Sequence, residues 1–163
     1  MLKKMVIGLA VLAGLASGES VLADPAQLTL SVGTWETLRD QYRKPEVDID
    51  YRFGSPLIWI LRPQVGVLVA GDGDYYGYAG FVTDFKLADT IVLTLNSSIG
   101  GYNGHGYNLG SHFEFRNGAE IAYRFQNDWR AGIGFYHISN AGLTRENGGS
   151  ESALFAVTAP LPW

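Results

Sequence analysis

From Asp24 onward the dominant period of this chain is two, which an amphipathic helix of period 3.6 does not produce. Val47, Ile49, Tyr51 and Phe53 alternate with Asp48, Asp50 and Arg52. Phe113, Phe115, Ala119, Ile121, Tyr123 and Phe125 alternate with Glu114, Arg116, Glu120 and Arg124. Trp129, Ala131, Ile133 and Phe135 alternate with Arg130, Gly132 and Gly134, and Ala153, Phe155, Val157, Ala159, Leu161 and Trp163 share one face. The pattern predicts eight strands, near 27–37, 46–53, 57–70, 75–85, 90–100, 113–125, 129–139 and 151–163.

What lies on each face decides the environment. A soluble β-sandwich or lipocalin-like barrel buries its aliphatic face and hydrates the charged one. Here one face is aromatic and aliphatic, while the other mixes both charge signs with glycine. That arrangement suits a barrel with lipid outside and a packed polar interior. The fold expected is therefore all-β, an eight-stranded antiparallel transmembrane β-barrel of the outer membrane, narrow enough for side chains to fill. Composition agrees: charged residues are only 17%, below the roughly 25% of ordinary soluble domains. The absence of Cys excludes a disulfide framework, a thiolate metal site and a thiol nucleophile. A formal charge of -4 argues against a nucleic-acid partner.

Residues 1–23 read as an export signal: Lys3 and Lys4, an apolar run from Met5 to Ala16, then Val21-Leu22-Ala23 as the cleavage site. The run is too short to span a bilayer as a helix. Residues 24–163 are left as the barrel, with 129–163 as its catalytic hairpin. Trp35, Trp59, Tyr75, Tyr76, Trp129 and Trp163 are candidates for the interfacial girdles. The expected connections at 54–56, 86–89 and 126–128 are all short, which places them and the N-terminus on the periplasmic side. The terminal Trp163 resembles the closing aromatic of outer-membrane barrels.

The seventh strand carries the chemistry. Its apolar stripe runs through Ile133 and Phe135 into His137 and Ser139. An imidazole and a hydroxyl facing lipid are costly to desolvate and need a reason. Alternate residues lie about 6.6 Å apart at Cα, so base and nucleophile share a face within reach. A symmetric hairpin over 140–150 pairs Ser139 with Glu151 and sets Glu151 diagonal to His137, close enough to orient the ring. On the residues alone a second reading stands beside this triad: a rim serine that caps a turn, and a solvated glutamate. His105 and His112 lie in a Gly- and Asn-rich loop and read as surface residues. With no Cys and three scattered His, neither a metal nor a cofactor is expected.

His137-Ile-Ser-Asn-Ala-Gly-Leu143, followed by Asn147-Gly-Gly and Glu151, resembles the signature of lipid A 3-O-deacylases of the PagL type. The likeness is strong over 137–151 and extends elsewhere only as strand pattern. It implies a Ser139–His137–Glu151 triad on the lipid-facing wall, hydrolysis of the 3-position ester of lipid A, and release of a 3-hydroxy fatty acid. Lipopolysaccharide is then the partner, in the outer leaflet. Asn140 and the amides of Ala141 and Gly142 are the expected oxyanion donors, and Asn147 an organiser supporting Glu151. The acyl slot is expected along Trp129, Ile133, Phe135 and the last strand. Arg43, Lys44 and Arg145 are candidate contacts for lipid A phosphates, and lipid-facing aromatics leave a homodimer open.

Two other functions share part of this pattern. An outer-membrane phospholipase A also uses a His-x-Ser pair, but that family has twelve strands and an Asn as third member. At 9–11 residues per strand, residues 24–163 cannot supply twelve. A structural or adhesin barrel would share the alternation without needing His137, Ser139 and Glu151 on one hairpin.

Overall fold

The computed structural model describes residues 25–105 and 107–162. The expected signal and Trp163 lie outside these. Eight antiparallel strands close into a barrel in simple sequence order. They are β1 (Gln27–Trp35), β2 (Lys44–Arg52), β3 (Arg62–Ala70), β4 (Asp74–Ala88), β5 (Ile91–Asn103), β6 (Phe113–Arg124), β7 (Arg130–Ser139) and β8 (Ser150–Pro160). β1 pairs with both β2 and β8, so no edge is left open.

Alternation sorts the side chains as the sequence predicts. Leu30, Ile49, Val67, Ile121, Ile133 and Phe155 are exposed on the outer wall. Asp48, Arg52, Arg116 and Glu120 are buried inside. Charges withdrawn from water need partners, and the interior supplies them for its arginines and for Asp48, Asp50, Asp84 and Glu120. Arg116 reaches Asp48 at 2.6 Å, while Arg52 bridges Asp50 at 2.8 Å and Glu120 at 2.9 Å. Arg62 and Arg130 both reach Asp84 at 2.6 Å. The Arg116 guanidinium also lies 3.8 Å from the ring centre of Tyr136 and 4.8 Å from that of Tyr78, a cation–π arrangement that adds to its ion pair.

Three expectations are corrected. Trp35 and Tyr76 are not girdle residues: both are buried inside, in a cluster with Leu68, Tyr78, Tyr102, Leu109 and Ile138. Trp35 stacks on Tyr102 with ring centres 5.8 Å apart. The strand expected from 57 begins at Arg62, because Leu57 to Leu61 fold back on themselves. Leu57 N–H donates to the Leu61 carbonyl and Leu61 N–H to that of Ile58, and Pro56 has no N–H to extend the ladder. The connection expected at 54–56 therefore covers 53–61, as long as the loop 104–112 at the opposite rim. The last strand begins at Ser150, and this changes the register described next.

Candidate functional site

His137, third from the end of β7, points out of the barrel and is about half exposed. Its cross-strand partner is Glu151, not the Ala153 expected from a symmetric hairpin. The expected pairing of Ser139 with Glu151 is thus displaced by two residues. Gly149, at φ +63°, turns the chain into β8 one residue early in a conformation that glycine adopts readily. A two-residue displacement keeps every side chain on its own face, so Glu151 still faces outward. His137 Nδ1 lies 3.2 Å from Glu151 Oε1.

Ser139 follows on the same outer face, partly buried. It pairs with Phe115 on β6, and among the described residues its hydroxyl has no hydrogen-bond partner. Gly149 closes over the ring's other edge, where an added Cβ would lie 3.0 Å from His137 Cε1 and 3.6 Å from Nε2.

Glu151 is itself held from the opposite direction. Arg39, in the loop between β1 and β2, lies 3.5 Å from Glu151 Oε2. The same guanidinium donates to Glu36 at 2.6 Å, to the Gly149 carbonyl at 3.0 Å and to the Gly148 carbonyl at 2.8 Å. It lies over the Tyr107 ring, 4.6 Å from the centre. Thr37 N–H donates to the Glu151 carbonyl, and Ala153 N–H to Thr37 Oγ1. Burial pushes the Glu36 carboxyl above its ordinary range against the pull of Arg39, and the bond to Glu36 in turn holds the Arg39 guanidinium above its ordinary value. One oxygen of Glu151 thus meets the imidazole while the other meets a cation. Sequence reasoning missed Arg39: more than a hundred residues separate it from Glu151, and no local spacing marks it.

The residues expected to support an oxyanion divide. Asn140 is fully buried, and its Nδ2 donates to Leu109 O, Thr144 Oγ1 and Glu146 O. Its Oδ1 accepts the Gly142 N–H at 2.9 Å, and its own N–H is taken by Asn147 Oδ1 at 3.1 Å. Asn140 and Asn147 therefore organise the loop, and Asn147 acts on Asn140 where support of Glu151 was expected. Of the three expected donors, only the Ala141 N–H carries no hydrogen bond among the described residues. Lys44 is engaged by Asp72 and Asp74, both at 3.2 Å. Arg43 is paired with Asp40 and donates to the Thr37 carbonyl, whereas Arg145 is exposed on the loop tip. His105 and His112 are exposed away from the site, the latter with Nδ1 3.0 Å from the Tyr102 carbonyl.

Below the imidazole the outer wall is indented. An apolar groove of about 560 Å³ lies among Leu93, Ala119, Ile121, Ile133, Phe135 and Phe155. Ile133, Phe135 and the last strand, named for the expected slot, line it together with β5 and β6, whereas Trp129 does not.

Residues 59–159 match the sequence pattern of the family described as lipid A 3-O-deacylase (PagL). The chain belongs to this family. The deacylase barrel is similar to the crystal structure of the outer membrane enzyme PagL, with TM-score 0.59 and 23% identity over 83% of this chain and 99% of that one. It is also similar to a de novo designed transmembrane β-barrel, with TM-score 0.54 and 13% identity over 83% of this chain and 97% of the design. At such identities the two likenesses carry the fold, and the family match carries the enzyme class. No curated protein matches the deacylase in sequence.

Proposed function

We propose that Ser139, His137 and Glu151 are the hydrolytic triad with which this outer-membrane deacylase cleaves the 3-position ester of lipid A. The observation that carries the reading is the 3.2 Å approach of His137 Nδ1 to Glu151 Oε1 on the lipid-facing wall, with Ser139 two residues on along the same face. Base, orienting carboxylate and hydroxyl lie near one rim, where an outer-leaflet lipid presents its glucosamine and ester groups.

In the reaction, Ser139 Oγ attacks the ester carbonyl and its proton passes to His137 Nε2. Glu151 fixes the tautomer with the proton on Nδ1 and stabilises the imidazolium. The tetrahedral intermediate collapses as the carbonyl carbon–sugar oxygen bond breaks and His137 returns the proton to that oxygen. Water, deprotonated by His137, then cleaves the acyl-serine and releases a 3-hydroxy fatty acid. The Ala141 N–H is the donor left free for the oxyanion, and one such donor is worth about 3–4 kcal/mol in other hydrolases. The missing Ser139–His137 hydrogen bond does not oppose this, because catalytic hydrogen bonds commonly tighten only when substrate is bound. The departing chain extends into the groove below His137, and Arg145, exposed at the loop tip, is the cation for a phosphate.

Mass spectrometry of lipid A from cells expressing the wild type or Ser139→Ala tests the proposal. Loss of one 3-hydroxyacyl chain with the wild type alone is expected. Unchanged lipid A alongside new lyso-phospholipids would favour a phospholipase instead.

A further inference from the structure

Apart from Ser139 and Asn103 near the rim, the outer wall of β5 to β8 is largely apolar, and one polar row crosses it. Glu151 pairs with His137, His137 with Asn117, and Asn117 with Ser97. All four side chains point outward, in one row across four strands. Glu151 is second in β8, His137 third from the end of β7, Asn117 fifth in β6 and Ser97 seventh of thirteen in β5. The row therefore starts near the rim and descends to the middle of the wall, where polar groups meet hydrocarbon.

Asn117 and Ser97 play no part in the triad, and they are expensive there. An amide or hydroxyl placed in an apolar medium without partners loses its hydration with nothing in return. Part of this is offset locally: Ser97 Oγ donates to Asn117 Oδ1 at 2.8 Å. That bond turns the amide so that its Nδ2 carries both N–H groups free of any acceptor among the described residues. The result is a fixed hydrogen-bond donor on the outer wall, beside the imidazole.

Its position relative to the groove says what it meets. The Asn117–His137 pair lies between the Phe115–Ser139 pair above and the Ala119–Phe135 pair below. Ala119 and Phe135 line the groove. An acyl chain attached at Ser139 and descending into that groove crosses the Asn117 row within its first carbons. We infer that the Ser97–Asn117 pair is a specificity site for a hydroxyl on carbon 3 of the departing chain, with Asn117 Nδ2 donating to that oxygen. The inference rests on Ser139 being the nucleophile. It adds that the enzyme selects its chain by the hydroxyl.

The test uses the full-length barrel in detergent with two synthetic glucosamine substrates, mixed in one tube. One carries a 3-hydroxyacyl chain at the 3-position, the other the deoxy chain of the same length. The ratio of the two kcat/KM values is read by mass spectrometry for wild type, Asn117→Leu, Ser97→Ala and Ser139→Ala, with folding checked by heat-modifiable gel migration. The wild type should favour the hydroxylated substrate by roughly ten- to a hundredfold, the range set by leaving a positioned donor unpaired. Asn117→Leu, whose new side chain suits lipid, should bring the ratio close to one. Ser97→Ala should lower it by a smaller factor, because the amide remains but is no longer turned. A wild-type ratio near one, or a ratio kept in folded Asn117→Leu, overturns the inference while a dead Ser139→Ala leaves the triad standing. Hydrolysis surviving in Ser139→Ala would instead remove the triad on which the inference rests.

Discussion

Glu151 divides its two oxygens between opposite neighbours: Oε1 lies 3.2 Å from His137 Nδ1, and Oε2 lies 3.5 Å from the Arg39 guanidinium. A carboxylate contacted from behind by a cation on another loop is restrained from rotating away from the imidazole it faces. The orientation of His137 therefore depends on the β1–β2 loop as well as on its own hairpin.

Glu151→Gln keeps the shape of this contact and removes its charge. The imidazolium of the transition state loses its counter-charge, and the preferred tautomer is no longer enforced. A fall in kcat of roughly 10²–10⁴-fold is expected, by analogy with triads whose carboxylate is made an amide. Initial rates on detergent-dispersed lipopolysaccharide measure it, and a loss under threefold would mean that Glu151 does not serve His137.

Arg39→Gln tests the positioning of Glu151. Without the guanidinium, Glu151 loses the contact behind Oε2 that holds Oε1 toward His137. kcat should fall roughly tenfold as the clamp on Gly148 and Gly149 loosens. Arg39→Lys should recover little of the rate, since a single ammonium cannot replace the fork of contacts. An unchanged kcat in Arg39→Gln would reduce Arg39 to a loop contact.

How much of this was legible follows from the physics of strands. The facing of Val47, Ile49 and Tyr51 against Asp48 and Asp50 was visible because parity survives folding. Parity likewise placed His137, Ser139 and Glu151 on one outer face even though the assumed register was wrong by two residues. Trp35 and Tyr76 were misassigned because aromatic type was weighed above parity. Trp35 shares its parity with the buried Thr29 and Ser31, and Tyr76 with the buried Asp74 and Tyr78. Arg39 was beyond reach, since a contact between two loops depends on closure of β1 onto β8. The Ser97–Asn117 bond was hidden for a related reason, because it needs the register of β5 on β6.

Gly149→Val addresses the other side of the ring. At φ +63° a β-branched side chain is strained, and its Cβ would press on His137 Cε1 at 3.0 Å. The barrel should still fold, because Gly149 lies outside the strands, while kcat drops at least tenfold from misplacement of the base. Heat-modifiable migration alongside the rate distinguishes the two effects; a folded variant with wild-type kcat would show that the ring has room to spare.

Arg116→Met probes the interior and leaves the site alone. The variant strands Asp48 without its 2.6 Å partner and removes a cation packed against Tyr136 and Tyr78. Breaking one half of such a buried pair costs about 3–5 kcal/mol. The midpoint of urea unfolding in detergent should fall accordingly, and Asp48→Leu combined with Arg116→Met should recover much of it. A midpoint unchanged in the single variant would mean that the interior charges are not coupled as drawn.

The triad itself is tested most directly by covalent capture. A fluorophosphonate carrying a long alkyl chain is incubated with the folded barrel in detergent, and the modified peptide is mapped by mass spectrometry. The account predicts a single adduct on Ser139, formed in step with loss of deacylase activity and suppressed in His137→Ala. Activity lost through an adduct on another residue, or Ser139 labelled equally well in His137→Ala, would contradict it.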